Sequence, residues 1–183
     1  MMETEAPAVP PRVLASFVRL AQAGVWVPLE RPCSVYDFLH GALNVDDAFI
    51  LSRIQTILLN SKVVDDMDGA WLRAGSRLAL SAAMPGVVGA ALRRNGLFAR
   101  LREGIRCQAA EQTEEGGCFW LELHVYNSMI AALALPLLTC GFAVEKERMP
   151  DPLRPLVCKA PFPTSSVNHQ FVRLPAGQAS FLS

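Results

Sequence analysis

The sequence IQTILLNSKVVDDMDGAWLRAGSRLALSAAMPGVVGAALRRNG, residues 54–96, decides the fold that we predict for this chain. Its first apolar run, residues 54–59, predicts a strand. The polar pair Asn60 and Ser61 then predicts a tight reversal into a second short strand at residues 62–64. This segment therefore predicts a hairpin at the start of a sheet.

The remainder of the segment predicts another strand and then a helix. An acidic loop at residues 65–69 is followed by a turn at residues 74–76, where Gly75 supplies conformational freedom. Residues 77–82 predict the next strand. Glycine and proline then precede an arginine pair, and we expect a helix to start near Val87.

Composition limits the classes of protein to consider. The chain has 183 residues, 51% of them hydrophobic, a mean hydropathy of +0.26 and a formal net charge of zero. A zero net charge argues against binding nucleic acid or a membrane surface through overall charge. The longest apolar run, residues 129–144, contains Pro136 and is too short to span a bilayer, so we interpret it as a core helix. The first eleven residues lack the pattern of a signal peptide, and we expect a soluble, cytoplasmic protein.

The cysteines favour a reducing compartment. There are five of them, widely spaced and without a C-x-x-C pair, which argues against a disulfide framework or a structural zinc site. We therefore expect free thiols that are mostly buried.

Residues before the hairpin predict two strands and a helix. The nearly continuous apolar run at residues 13–20 predicts a strand buried on both faces. Residues 25–30 predict a second strand, in which Pro28 favours an edge position. Ser34 is typical of a helix N-cap, with Asp37 in the first turn.

The helix that begins at Ser34 is expected to bury one face. Val35, Phe38, Leu39 and Ala42 share that face at helical spacing. Asp46 or Asp47 can cap a further turn. The predicted order is therefore strand, strand, helix, strand, short strand, strand, which is the β-grasp arrangement of a mixed sheet holding one helix across its face.

Three segments resemble the ubiquitin-like sulfur carriers of molybdopterin and thiamine synthesis, the MoaD/ThiS family. They are SVYDFL at residues 34–39, LNSKVV at residues 59–64 and LRAGSRL at residues 72–78. The resemblance implies an α+β protein with a β-grasp (ubiquitin-like) domain at residues 12–90. Members of that family end in a Gly-Gly carboxylate. This chain instead has PGVVGA at residues 85–90 and continues, so a carrier function would require cleavage near Gly89.

The remaining residues predict a disordered lead-in, an α/β extension and an extended C-terminal segment, at residues 1–11, 91–149 and 150–183. Alternation at residues 118–126 predicts a half-buried strand. The other predicted elements are a strand at 104–111, a turn at 112–117, a helix from Asn127 or Ser128 to about residue 139 ended by Gly141, and strands at 142–146, 171–174 and 179–182. The strands on either side of that helix can form a parallel βαβ unit.

The arginine-bearing segment provides the candidate binding site. Glycines and free N–H groups at the start of a helix can bind an anion, and arginines favour an acidic partner, so we select Gly86, Gly89, Arg93 and Arg94. Arg93 and Arg94 are expected to point to solvent or to a partner. The acids at residues 65–68, with Asp46 and Asp47, can bind a divalent cation, but a solvated turn explains them better.

The sequence predicts no catalytic residues, cofactor or metal. A Cys–His pair, such as His124 with Cys107 or Cys118, would depend on the fold bringing the two together. We expect a non-enzymatic binding or adaptor module with a protein partner or a homo-oligomeric state, and neither nucleic acid nor membrane. The alternatives are a sulfur carrier matured near Gly89 and a small-molecule enzyme with an anion site at residues 86–94.

Overall fold

The computed structural model describes residues 9–83, 86–94, 96, 107, 117–164 and 167–175, and for residues 87 and 88 it describes the backbone alone. These residues form a mixed α+β structure, as predicted, with one large sheet and a two-stranded one. The predictions for residues 1–8, 104–106, 108–116 and 179–182 lie outside the described residues.

The helices and strands are short, apart from α1, α5 and β7. The helices are α1 (Pro11–Ala23), α2 (Val35–Asp37), a π-helix (Phe38–Ala42), α3 (Asp47–Arg53), α4 (Gly86–Leu92), α5 (Met129–Cys140) and the 3₁₀ helices Lys146–Arg148 and Asp151–Leu156. The strands are β1 (Val25–Leu29), β2 (Cys33–Ser34), β3 (Thr56–Leu59), β4 (Lys62–Val63), β5 (Trp71–Leu72), β6 (Arg77–Ser81), β7 (Phe119–Tyr126), β8 (Phe142–Glu145), β9 (Val157–Cys158) and β10 (His169–Val172).

The large sheet has the strand order β4-β3-β6-β7-β1-β8-β10-β9. Among the strand pairs of the described residues, β6 and β7 run parallel and the other pairs are antiparallel. Strand β7 therefore lies between β6, from the segment that decides the fold, and β1, from the start of the chain. Strands β2 and β5 form the small separate sheet.

One face of the large sheet is covered by helices. Helices α1 and α5 pack on β7 and on each other, and the rings of Phe17 and Phe142 join α1 to β8 with their centroids 5.5 Å apart. Alternate residues of β1 and β7 are buried beneath them. The predicted alternation of β7 is confirmed, because Phe119, Leu121, Leu123 and Val125 are all buried.

The hairpin and the last turn of the deciding segment are confirmed. Asn60 and Ser61 have φ angles of 50° and 66°, as a two-residue type I′ turn requires. Arg77 N–H donates to Asn60 Oδ1 at 2.8 Å and fixes the hairpin against β6. Gly75 has a φ angle of 81° at the predicted turn, which favours glycine there.

The predicted helix N-cap at Ser34 is confirmed, but one residue predicted to lie on the buried face of this helix is exposed. Ser34 Oγ accepts from Asp37 N–H at 3.0 Å, and Asp46 caps α3 in the same way at 2.9 Å. Phe38 and Leu39 are fully buried, but Ala42 is exposed. The helix changes to a π-helix at Phe38, and its wider turn moves later residues away from the regular helical face.

The predicted strand at residues 13–20 is wrong, because these residues belong to α1. Val13, Phe17, Leu20 and Ala21 are its buried positions, at intervals of four, three and one residues. This spacing is a helical stripe within an apolar run. Proline at the first helical position also suits a helix start.

Pro28 was expected at an edge, but β1 lies between β7 and β8. Strand β8 pairs with β1 at Trp26 alone, opposite Ala143. Past Trp26, the described register gives β1 a partner only on the β7 side. The proline therefore lies where the β8 ladder has already ended, which is the local equivalent of an edge.

The C-terminal half differs from its prediction in two respects. Strands β7 and β8 are parallel in direction, as predicted, but β1 lies between them, so they are not neighbours. The proline-rich segment after Pro150 forms the 3₁₀ helix Asp151–Leu156 and then β9, rather than an irregular extended connector. Gly141 ends α5 with a φ angle of 90°, as predicted.

Candidate functional site

The predicted binding segment forms the short helix α4 after β6. The helix includes Val87, as predicted, and begins at Gly86, whose φ angle of 82° favours glycine. Gly86 is exposed, whereas Gly89 is buried. Gly89 is thus inside a helix and away from solvent, in the region where a carrier would have to be cleaved.

Arg94 is bonded to the structure around it. Its backbone N–H donates to Gln55 O at 2.7 Å. Its guanidinium donates through Nη2 to Ile50 O at 3.2 Å and Leu51 O at 3.3 Å, and through Nη1 to Met67 Sδ at 2.8 Å. The two carbonyl groups lie in α3 toward its C-terminal end, where they lack partners within the helix. Arg94 therefore joins the end of α4 to the end of α3.

Arg93 and Arg94 were expected to point to solvent or to a partner; Arg93 is exposed, as this requires, whereas the guanidinium of Arg94 is bonded within the protein. Arg94 is half-buried. Burial lowers the pKa of the Arg94 guanidinium, although the nearby charge of Asp65 acts to raise it. Both residues line a hollow of about 320 Å³, together with Leu51 and Gln55. Leu51 is 64% exposed and so presents apolar surface beside this hollow. Whether Gly86, Gly89, Arg93 and Arg94 bind a ligand together stays a prediction.

The acidic loop has the structure of a capped turn. Asp66 Oδ1 accepts from the N–H groups of Asp68 and Gly69, both at 3.1 Å. This is the turn chemistry that aspartate favours. Across the described ranges, no group of three or more histidine, cysteine or acidic residues is arranged to hold a metal ion.

His124 belongs to a polar row on the sheet face opposite α1 and α5. Its Nε2 lies 2.9 Å from Glu122 Oε1 and its Nδ1 lies 3.1 Å from Gln22 O. Arg77 Nε donates to Glu122 Oε2 at 2.9 Å. Burial raises the pKa of Glu122, but the hydrogen bonds from Arg77 and His124 outweigh it and lower that pKa overall. Both ring nitrogens of His124 therefore have non-cysteine partners, so a Cys–His pair at His124 has no geometric support.

The other two histidines pack on aromatic rings. The His40 ring is parallel to that of Tyr36 at 5.6 Å, and its Nδ1 lies 3.1 Å from Asp47 Oδ1. The same Asp47 oxygen accepts from the Tyr36 hydroxyl at 2.7 Å, which raises the pKa of Tyr36. The His169 ring packs on that of Trp26 at 4.4 Å with a tilt of 32°, and burial lowers the pKa of His169.

No disulfide joins any of the five cysteines, as predicted, but the expectation that most of them are buried is wrong. Cys118 and Cys158 are exposed, and the other three are half-buried. Burial is the main cause that raises the pKa of Cys33, to about 11, and nearby Asp37 raises it further. Burial also raises the pKa of Cys140. The thiols of Cys33 and Cys140 are therefore protonated at neutral pH.

The sequence did not indicate a second, larger hollow of about 650 Å³. It lies between the end of β1, the π-helix, the end of α5 and Phe162. Its lining contains Arg31, Arg173 and the two half-buried thiols of Cys33 and Cys140. Arg31 and Cys33 are far in sequence from Cys140 and Arg173, so only the fold brings the two pairs together. No local pattern could have indicated the hollow.

Comparison of the chain with family models, with curated proteins and with solved structures found no match. Within the residues that the structure describes, no helix combines the length and apolar character needed to cross a membrane.

Proposed function

We propose that this chain is a non-enzymatic binding module that recognises an acidic protein segment at the junction of α3 and α4. One observation carries the proposal: Arg94 is fixed to the α3 carbonyls and so holds the exposed Arg93 and Leu51 on one hollow. Guanidinium groups bind carboxylates through charge-assisted hydrogen bonds. An exposed leucine beside a hollow adds apolar area that a partner can bury.

The surrounding charges favour an acidic partner. Arg53 ends α3 and is exposed, as is Arg93. Leu51 therefore shares its hollow with one exposed cation, Arg93, which directly follows α4, and a second, Arg53, lies two residues further along α3. The N-terminal end of α3 instead carries Asp46 and Asp47, both exposed. An acidic segment, including one from a second copy of the chain, is thus attracted to one end of α3 and repelled by the other.

The scaffold of this module is proposed to be β-grasp-like. Its parts are β1, the helix that starts at Ser34, the hairpin β3–β4, and β6, and β7 supplies the strand between β1 and β6. The helix places Val35, Phe38 and Leu39 in the core. The resemblance to the MoaD/ThiS family remains part of this proposal. The two other predicted functions, the cleaved carrier and the enzyme with an anion site, stay predictions.

Charge reversal tests the proposed surface. The variant Arg53→Glu with Arg93→Glu is compared with Arg12→Glu and Arg19→Glu, which make the same charge change on exposed positions of α1. Self-association by sedimentation and capture of partners from the native host are measured at low and high salt. We expect the first variant to lose binding and salt sensitivity, and the α1 variant to behave as wild type. Equal behaviour of the two variants would refute the α3–α4 surface.

Leu51→Ala separates the apolar anchor from the charges. Leu51 is exposed, so we expect its removal to change stability by less than about 0.5 kcal/mol. Binding should weaken at both salt concentrations, because apolar contact is not screened by ions. An unchanged affinity would remove the leucine from the proposed contact.

A further inference from the structure

The 650 Å³ hollow has a wall formed by the π-helix. Leu43 N–H donates to Phe38 O at 3.0 Å, which is the wide-turn bond that defines this helix. The inner side of the helix is fixed by the fully buried Phe38 and Leu39. Its last residues, including Gly41 and Ala42, are exposed and line the hollow. Single π-turns are rare and occur frequently at functional sites.

The opposite wall is apolar and held in place. The Phe162 ring packs on Trp120 with centroids 4.9 Å apart. Trp120 Nε1 donates to Pro163 O at 2.9 Å, which fixes the segment that carries Phe162 across the sheet. The protonated thiols of Cys33 and Cys140 add neutral surface. The hollow therefore has room and apolar contact for a small molecule, and its volume is in the usual range for ligand sites.

Charges of both signs face this hollow without neutralising each other. Glu30 and Arg31 follow β1, are exposed, and both contribute to the lining. Neither forms a salt bridge with the other or with any residue of the described ranges. Arg173 also lines the hollow and uses one N–H, at Nε, to reach Thr139 O at 3.1 Å. Its remaining N–H groups can serve a ligand.

A fourth charged residue, Asp37, completes a balanced set. One of its oxygens, Oδ2, accepts from Ser34 Oγ at 2.8 Å, and a carboxylate has further acceptor positions. The lining thus holds two guanidinium groups and two carboxylates. A simple anion would face both acids, and a simple cation would face both arginines. A ligand that carries both charges meets complementary groups with each of them.

We propose that this hollow binds a small zwitterion with an apolar part, that is, a free amino acid or a close analogue. Its carboxylate binds Arg31 and Arg173, and its ammonium group binds Glu30 and Asp37. Its side chain packs against Phe162 and the thiols. This site is independent of the proposed α3–α4 surface, because the two share no lining residue.

The test uses the full chain, two matched sets of probes and a third set of amino acids alone. Calorimetric titration compares L-leucine with 3-methylbutylamine and 4-methylpentanoate, and L-phenylalanine with 2-phenylethylamine and 3-phenylpropanoate; the other apolar amino acids form the third set. We expect saturable binding of at least one amino acid. The matched amine and acid should bind about tenfold more weakly or worse, because each lacks one of the two charged groups and the charge-assisted contacts that this group makes.

Substitutions at two exposed residues test which side chain binds which charged group of the ligand. Arg31→Gln should weaken binding of the amino acid and leave the affinity for the matched amine unchanged. Glu30→Gln should also weaken binding of the amino acid, but leave the affinity for the matched carboxylate unchanged. Arg19→Gln on α1 is the control and should bind as wild type. Lack of binding by every amino acid, equal binding of the acid or amine, or full affinity in Arg31→Gln would each overturn the proposal. The Arg53→Glu with Arg93→Glu variant should keep amino-acid binding, so failure of one site leaves the other testable.

Discussion

Replacing Arg94 with methionine should destabilise the chain, whereas the same change at Arg93 should not. Methionine keeps an unbranched stem but removes the guanidinium. The Arg94 guanidinium donates through Nη2 to Ile50 O at 3.2 Å and to Leu51 O at 3.3 Å. Arg93 is exposed and has no such contact among the described residues.

The size of the effect follows from the two carbonyl bonds. A hydrogen bond from a charged donor contributes about 1.5–3 kcal/mol to stability. Both bonds are long, share one nitrogen and belong to a half-buried side chain, so we count them together at the lower end, about 1.5 kcal/mol. Arg93→Met should change the free energy of unfolding by less than about 0.5 kcal/mol. In a chain of this length the difference corresponds to about 3–6 °C in Tm.

Urea unfolding followed by tryptophan fluorescence measures both variants under identical conditions. A lower midpoint with an unchanged slope indicates lost stability rather than a change in the exposed surface. If Arg94→Met and Arg93→Met have the same midpoint, the bonds from Arg94 do not hold α3 to α4. Arg94 would then belong with Arg93 in the binding surface, as the sequence first suggested.

Three further predictions concern the fold. Phe38→Ala should cost about 3–5 kcal/mol in urea unfolding because the ring is fully buried, and a loss below about 1 kcal/mol would contradict that packing. Burial lowers the pKa of His169 below its ordinary value, and Arg148 adds to this while Glu145 opposes it. The unfolded state therefore binds more protons than the folded state. As the pH falls from about 7 to 5, wild type should lose stability relative to His169→Phe. Urea midpoints of the two proteins that change equally with pH would refute this. A fragment of residues 12–90 should show no cooperative unfolding, because it lacks β7, and a sharp transition would establish that region as an independent domain.

Local chemistry explains which elements the sequence predicted. The type I′ turn at Asn60 and Ser61, the cap at Ser34 and the end of α5 at Gly141 each depend on residues close in sequence. The strand β7 was predictable because its alternation extends over eight residues. In each case the determining interaction is made within a few residues, so a single sequence carries it.

Long-range packing explains the failures. Residues 13–20 are apolar enough for either a buried strand or a helix, and the choice depends on which face meets Phe142. The position of Pro28 depends on where β8 stops pairing. The role of Arg94 depends on two carbonyl groups more than forty residues earlier in the chain. None of these partners can be identified from the residues on either side.

Strand β7 also changes how the segment that decides the fold is stabilised. All five residues of β6 are in register with β7, from Arg77 opposite Glu122 to Ser81 opposite Tyr126. All five residues of β1 are in register with its other edge. On the open face, the side chains of Arg77, Glu122 and His124 continue this connection to the end of α1 at Gln22. The residues of the hairpin β3–β4 determine its local shape, but within the described sheet the hairpin reaches β1 through β6 and then β7, a strand that begins only at Phe119. Each proposed site lies beside a strand of this one sheet, at Gln55 before β3 and at Leu29 in β1, so we expect a partner or ligand at either site to raise the stability of the whole sheet.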